Sequence, residues 1–129
     1  MPHFLTLDEV LESHAEQVAT YGGSDGIRDV GLLESAIAQP QAMFGGQYLH
    51  ADIFEMAAAY LFHLVKNHPF VDGNKRVGLE ASLLFLETNG YSVDTTDEEL
   101  VELVLQTAQS QVGKADIAAF FQRSSVAIE

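Results

Sequence analysis

The chain has 129 residues, of which 47% are hydrophobic, and this length and composition predict one folded domain over residues 1–129. Nineteen acidic residues against six basic ones give a formal net charge of −13, which argues against binding of nucleic acid over a broad face because polyanions are repelled. The chain has no cysteine, which excludes a disulfide framework and a thiolate metal site.

The amino terminus, MPHFLTLDEV, lacks the basic segment and following apolar run that are typical of a signal peptide. No stretch reaches the roughly 18 consecutive apolar residues of a membrane span. We therefore expect a soluble cytoplasmic protein that does not associate with membranes.

Helical patterns account for most of the chain, and strand patterns are nearly absent, so the predicted fold class is all-α. The first helix begins at a capping box formed by Thr6 and Glu9, and Asp29 is a candidate N-cap of the second, which Pro40 stops. We predict six helices, over residues 7–21, 30–39, 53–66, 74–88, 97–111 and 113–125.

One irregular segment precedes the central pair of helices. Residues 39–50, QPQAMFGGQYLH, combine a proline, a Gly-Gly pair and flanking aromatic residues, which predicts a loop or a short hairpin. The two helices that follow it, over 53–66 and 74–88, are largely apolar and are expected to lie in the core.

The loop between these two core helices is unusually rich in functional groups. It reads NHPFVDGNKRVG over residues 67–78. Pro69 disfavours the helical conformation at the residue before it, so the preceding helix should end at His68 and leave this histidine at a turn. Phe70 is expected to anchor the loop to the core.

The start of the next helix has the features of an anion site. Gly73 lets a ligand approach the backbone closely, and the first free N–H groups, near Asn74 and Lys75, point outward with the positive end of the helix dipole. Lys75 and Arg76 add charge, and they are two of only six basic residues in the chain. We predict that this turn binds phosphate.

Two further side chains could take part in a reaction at this site. Asp72 offers the carboxylate oxygen that Mg²⁺ takes alongside phosphate oxygens. His68 offers an imidazole, the side chain that most often exchanges protons near neutral pH. Taken singly, Asp72 is better explained as an N-cap carboxylate, and His68 as an ordinary surface or core histidine. Their coincidence within nine residues favours a phosphate-transfer site.

The other histidines have no pattern of this kind. His63 falls on the buried helix over 53–66, and we expect it to be a core or near-core residue. His3, His14 and His50 lack metal-ligand spacing, so no structural metal is predicted.

The nonamer HPFVDGNKR, residues 68–76, closely resembles the signature of the Fic/Doc family, H-P-F-x-[D/E]-G-N-[G/K]-R. The lysine at Lys75 and the short chain are similar to the Doc (death-on-curing) branch, whose members are toxins of toxin–antitoxin pairs, rather than to the longer adenylylating Fic enzymes. The resemblance implies an all-α Fic/Doc bundle of about six helices with a flap hairpin before the central helix pair.

The resemblance also implies an activity, namely the ATP-dependent transfer of a phosphoryl group to a threonine or serine hydroxyl of a host protein. In the Doc branch that protein is elongation factor Tu, and its modification arrests translation. The implied cofactors are ATP as substrate and Mg²⁺ held by Asp72. The implied catalytic residues are His68 as the base with Lys75 and Arg76, and the implied phosphate-binding residues are Gly73, Asn74, Lys75 and Arg76.

The flap implied by the resemblance is MFGGQYLH, over residues 43–50. In the family this segment docks the target by strand addition. The residues of this chain at the flap positions are Gly45, Gly46, Gln47 and Tyr48.

Two departures from the adenylylating pattern favour phosphoryl transfer. Those enzymes usually have glycine at the position of Lys75 and a second arginine at the position of Leu79. The chain also has no match to the self-inhibiting S/T-x-x-x-E-[G/N] helix, the nearest being residues 95–99. We therefore expect inhibition by a small antitoxin encoded alongside. The alternatives are a Fic-type adenylyltransferase and a catalytically silent binding module.

Overall fold

Helices account for most of the structure, a computed structural model that describes residues 1–128. The predicted all-α class is confirmed. The helices are α1 (Leu7–Tyr21), α2 (Val30–Ala38), α3 (Ile53–Asn67), α4 (Asn74–Thr88), α5 (Asp97–Ala108) and α6 (Lys114–Ser124), with a 3₁₀ turn at Gln39–Gln41 after α2. Within the described residues, no helix is long and apolar enough to cross a membrane.

The helix ends follow the polar caps in the sequence. Thr6 accepts from the Glu9 N–H, and Glu9 returns a bond to the Thr6 N–H, which confirms the predicted capping box at the start of α1. Asp29 caps α2 through the Leu32 N–H. Helix α5 ends three residues earlier than predicted because Ser110 takes a positive φ of 60° and turns the chain away from the helix.

Helix α3 lies at the centre of the fold and packs against α2, α4, α5 and α6. Its middle turns are fully buried, and the small side chains over residues 57–59 let the neighbouring helices approach closely. Tyr60 is also fully buried, with its hydroxyl accepting the Leu5 N–H at 2.9 Å. Desolvation raises the pKa of Tyr60 to about 12. The anchoring of α3 on every side makes its C-terminal end a firm base for the loop that follows.

Two small antiparallel strand pairs complete the structure. Strands β1 (Met43–Phe44) and β2 (Gln47–Tyr48) form the predicted hairpin, whose turn residues Gly45 and Gly46 have φ values of 60° and 80°. Two successive residues with positive φ favour glycine, which explains the Gly-Gly pair. We call residues 43–48 the flap.

The second pair, β3 (Tyr91–Val93) and β4 (Ser125–Ala127), was not predicted. Each strand has only three residues, too few for an alternating pattern to be recognised, and the pairing joins segments more than 30 residues apart. The pair joins the strand that follows α6 to the strand that follows α4.

Candidate active site

The loop between α3 and α4 places its histidine outside the helix. His68 is the C-cap of α3, with φ 52° and ψ 54°, a left-handed conformation that is uncommon for a residue other than glycine. Pro69 disfavours the α-helical conformation at the residue before it, and the left-handed conformation of His68 agrees with this. The side chain of His68 is exposed and lines a cleft with residues of the following turn. We call residues 68–73 the motif loop.

Arg28 holds the start of the motif loop from outside. Its Nε donates to the His68 carbonyl at 2.6 Å, and Nη2 donates to the Asn67 carbonyl at 2.8 Å. The backbone N–H groups of Arg28 and Asp29 both donate to the Pro69 carbonyl, at 2.7 and 3.0 Å. Carbonyls at a helix C-terminus otherwise lack protein partners, and a cation there is favoured by the helix dipole. The loop geometry is therefore fixed by the segment between α1 and α2.

The same segment, residues 22–29, also holds the far side of the motif loop, and we call it the bracing segment. The Val71 N–H donates to the Gly26 carbonyl at 2.9 Å, and the Ser24 N–H donates to Asp72 Oδ2 at 2.9 Å. Because the carboxylate of Asp72 is held here, it does not cap α4, whose N-cap Gly73 has no side-chain bond. The N-cap explanation of Asp72 is therefore wrong.

The core side of the loop is fixed by two buried polar residues. His14 stacks on Phe70 with ring centroids 3.7 Å apart, and its Nε2 donates to the Asp72 carbonyl at 2.7 Å. The Asn74 side chain accepts from the Phe70 N–H and donates to the Phe70 carbonyl, at 2.9 and 3.0 Å. Phe70 is fully buried, as an anchor residue should be. Asn74 thus uses its side chain to close the loop, which leaves its backbone N–H for a ligand.

The first turn of α4 presents unused backbone donors. Gly73 has a φ of 82°, in the left-handed region that glycine tolerates best, and its carbonyl accepts the Val77 N–H at 2.9 Å. Three N–H groups come before this first helical bond and have no capping side chain. They belong to Asn74, Lys75 and Arg76. Such N–H groups favour an anion.

A cleft of about 530 Å³ joins these groups to the side chains around them. Among its lining residues are His68, Asp72 and three cations, Lys66, Lys75 and Arg76. Together with Arg28 behind the loop, the site therefore contains four of the six basic residues of the chain. Concentrated positive charge in an acidic chain attracts a multiply charged anion.

Two of the cleft cations are held in place by neighbours. Lys66 donates to the hydroxyl of Ser110, and the Arg76 guanidinium lies 4.1 Å from the ring centroid of Tyr21, the last residue of α1. A cation over an aromatic face is attracted by the ring. The terminus of α1 therefore helps to orient Arg76.

The residues around Asp72 fit one Mg²⁺ ion held with a nucleotide. Asp72 is the one carboxylate among the residues that line the cleft. No group of three potential metal ligands occurs in the part of the chain that the structure describes. Mg²⁺ commonly takes one or two carboxylates and fills its other positions with phosphate oxygens and water, so a single carboxylate suffices.

The flap stands apart from this cleft, and none of its residues lines it. Gly45, Gly46 and Gln47 are exposed, as are the side chains of β1, with Phe44 80% exposed. Tyr48 is half-buried against Phe4, with ring centroids 5.6 Å apart. The structure thus brings the predicted catalytic and phosphate-binding residues together and leaves the predicted docking residues on a separate surface.

Several residues of the site were not predicted from the sequence. For Arg28, one sequence feature could have indicated a role in the site, because it is the only basic residue before Lys66. No sequence feature indicated His14 or Ser24, since they contact Asp72 across 58 and 48 residues of chain. Lys66 was assigned only to the buried helix, although its exposed end reaches the cleft.

Two other histidines form a separate cluster around Lys114. Its Nζ lies 3.1 Å from His63 Nε2 and 3.3 Å from His50 Nε2. Burial, followed by the charge of Lys114, lowers the pKa of His63 to about 4 and lowers the pKa of His50. Neutral imidazoles can accept from the ammonium group, so this cluster is held by hydrogen bonds and takes no part in the cleft.

The helical bundle and its motif loop define a Fic/Doc domain. A model of the family described as Fic/DOC matches residues 4–86, and the chain belongs to that family. Two relatives are similar over nearly the whole chain. One is "Protein kinase doc" of Escherichia phage P1, 33% identical over 116 residues that cover 90% of each chain. The other is "Toxin Doc" of Mycolicibacterium smegmatis, 32% identical over 126 residues that cover 93% of this chain and 95% of the relative.

Proposed function

We propose that the chain is a Doc-type toxin that transfers the γ-phosphoryl group of ATP to a serine or threonine hydroxyl of a host protein. One observation carries the proposal. The braced motif loop places the His68 imidazole, the Asp72 carboxylate and the uncapped first turn of α4 around one cationic cleft. The names of the two relatives, a protein kinase and a toxin, support the same assignment.

In the proposed reaction, the N–H groups of the first turn of α4 hold the γ-phosphate, with Lys75 and Arg76 beside it. Asp72 would hold Mg²⁺, which would supply positive charge against the phosphate oxygens. His68 takes the proton of the target hydroxyl, and that oxygen forms a bond to the γ-phosphorus. The bond from this phosphorus to the β–γ bridging oxygen breaks, and ADP leaves.

The side chain of Lys75 favours this chemistry over transfer of AMP. A glycine at that position would leave room for the phosphates to approach the N-terminus of α4. The lysine side chain fills this room and adds a positive charge. Leu79, one turn later, offers no second cation to hold a distal phosphate. We expect Lys75→Gly to weaken phosphate transfer and to admit some AMP transfer.

The partners of the proposed toxin follow from its open surfaces. The exposed flap would dock the backbone of the host target, for which elongation factor Tu is the candidate that the Doc branch suggests. A small antitoxin encoded alongside would inhibit the toxin, because the sequence has no match to the self-inhibiting motif of the family. Expression of the wild-type chain alone should therefore arrest growth, and harmless expression of a chain that is active in vitro would contradict the toxin assignment.

The activity is tested with ATP labelled at either the α- or the γ-phosphorus, incubated with the purified protein and a bacterial lysate. Label from the γ position should appear on one host protein, and label from the α position should not. The same incubation with His68→Ala protein should leave the host protein unlabelled. Labelling of the host protein from the α position would replace this proposal with AMP transfer.

A further inference from the structure

A second cleft, of about 240 Å³, adjoins the motif cleft between α4 and α5. Its lining is apolar except for the two cations that it shares with the motif cleft. The lining residues are Lys75, Arg76, Leu79, Val101, Val104 and Leu105. We call it the apolar cleft.

The apolar cleft is an open surface and not a packing defect of the core. Val101 is 55% exposed and Leu105 39%, so both side chains face solvent above the buried Val104. A volume of 240 Å³ corresponds to about eight waters of the liquid, and waters over aliphatic side chains have few polar partners. Replacing such waters with a flat apolar group is favourable.

The apolar cleft and the motif cleft form one continuous groove. Lys75 and Arg76 line both. On α5, Ala108 lines the motif cleft, and Val104 and Leu105 lie one turn earlier, in the apolar cleft. On α4, the five residue steps from Asn74 to Leu79 advance about 7.5 Å along the helix axis. The apolar cleft therefore lies close to an anion held at the first turn of α4. The polyphosphate and ribose of a nucleotide are long enough to span the distance between the two.

We infer that the apolar cleft holds the purine base of the nucleotide whose phosphates bind at the first turn of α4. This inference rests on the proposed function and adds the base site to it. Apart from the two cations, none of the residues that line the apolar cleft has a polar side chain. A site that lacks hydrogen-bonding partners for the base edge holds it by shape and apolar contact, and such sites discriminate poorly between isosteres. The protein should therefore bind ATP and GTP with Kd values within about tenfold of each other.

The base site is tested by nuclear magnetic resonance titration of the whole protein with the magnesium complexes of ATP, GTP and inorganic tripolyphosphate. All three ligands should shift the amide signals of Gly73 and Lys75. Only ATP and GTP should shift the methyl signals of Leu79, Val101 and Leu105. Methyl signals that stay unchanged with ATP while the amides shift would overturn the base site and leave the phosphate site standing.

A pair of variants gives the energetic test. The double substitution Val101→Ser with Leu105→Ser should raise the Kd for ATP and for GTP by about tenfold and leave that for tripolyphosphate within twofold. The control is Val126→Ser on β4, because Val126 is 54% exposed against 55% for Val101. It should change no Kd. An equal loss for ATP and tripolyphosphate, or no loss for ATP, would overturn the inference.

Failure of the proposed function would look different. In that case the methyl signals would shift with ATP, but no label would pass from ATP to any lysate protein. This result would support the base site and contradict the proposed reaction. A large preference for ATP over GTP, above a hundredfold, would contradict a site that reads no base edge.

Discussion

The motif loop and the flap are the two irregular parts of the molecule that the proposed function uses, and they are built in opposite ways. In the motif loop, the carbonyls of His68, Pro69 and Asp72 and the N–H of Val71 all bond to groups outside the loop. In the flap, the strand pairing is internal, and one further backbone bond, from Leu49 to Ala42, closes its base.

The difference fits the proposed function, which assigns the chemistry to the motif loop and the recognition of the target to the flap. The proposed phosphoryl transfer would need charges held in fixed positions before the reaction, and the hydrogen bonds from the bracing segment hold the motif loop in one position. A surface that pairs with the backbone of another protein needs unpaired edges instead, and the flap offers them at the risk of nonspecific pairing.

The largest expected effect comes from removing the imidazole that the motif loop presents. His68→Ala should lower the rate of target modification by about 100-fold or more, because the hydroxyl loses its base. The helical circular dichroism and the unfolding temperature should stay at the parental values, since the side chain is exposed. His3→Ala, another exposed histidine, is the control. Modification at the parental rate by His68→Ala protein would rule out the role of base.

Weakening the contacts of the bracing segment should lower activity through the position of the motif loop, without changing a residue that lines the cleft. Arg28→Met removes two charged hydrogen bonds, to the carbonyls of Asn67 and His68. We expect kcat to fall about tenfold to 100-fold with KM for ATP nearly unchanged, and Arg28→Lys to restore part of the loss.

The control for the brace is Arg123→Met, which removes a cation that stacks on Phe120 away from the loop. Steady-state kinetics of all three proteins decide the matter. Equal kcat values for Arg28→Met and Arg123→Met would mean that the bracing contacts do not position His68.

A charge placed on the flap should impair transfer to the host protein and leave nucleotide binding unchanged. Phe44→Asp places a carboxylate on the most exposed side chain of β1 and should lower transfer to the host protein by about tenfold. The Kd for ATP should not change, because the flap does not line the cleft. Val126→Asp, with Val126 54% exposed on β4, is the matched control. A flap variant that loses ATP binding and transfer together would show that the two regions are coupled.

The smallest effect concerns His63, which belongs to neither region. Its pKa of about 4 lies below the ordinary value of 6.5, so between these pH values the unfolded chain binds a proton that the folded chain does not. Stability should be full above pH 6.5, fall as the pH drops towards 4 and then level off. Because the group is only half-buried, the loss should be on the order of 1 kcal/mol.

Denaturant unfolding of the parent and of His63→Gln protein, at several pH values, measures this loss. His63→Gln should flatten the fall, and His3→Gln should leave it unchanged. Identical pH profiles for the parent and His63→Gln would show that the Lys114 cluster does not keep His63 neutral.

The sequence predicted what depends on neighbouring residues. Thr6 and Glu9 identified the start of α1, and the Gly-Gly pair identified the turn of the flap, because capping and turn conformations are local preferences. The motif loop was recognised because its groups are adjacent in the chain.

Contacts between distant segments could not be predicted. No periodicity or cap connects Arg28 to His68, and only the packing of α1 against α4 and of α2 against α3 brings the bracing segment to the loop. The same holds for the β3–β4 pair. The hydrogen-bond partners of Asp72 and Asn74 could not be predicted either, since a carboxylate before a helix is usually its cap.

The mass of the modified host protein tests the central claim most directly. The purified chain is incubated with ATP, Mg²⁺ and a bacterial lysate, and the modified protein is identified and weighed by mass spectrometry. We predict the addition of a single phosphate to one serine or threonine, with ADP released. The addition of AMP, with pyrophosphate released, would contradict the account.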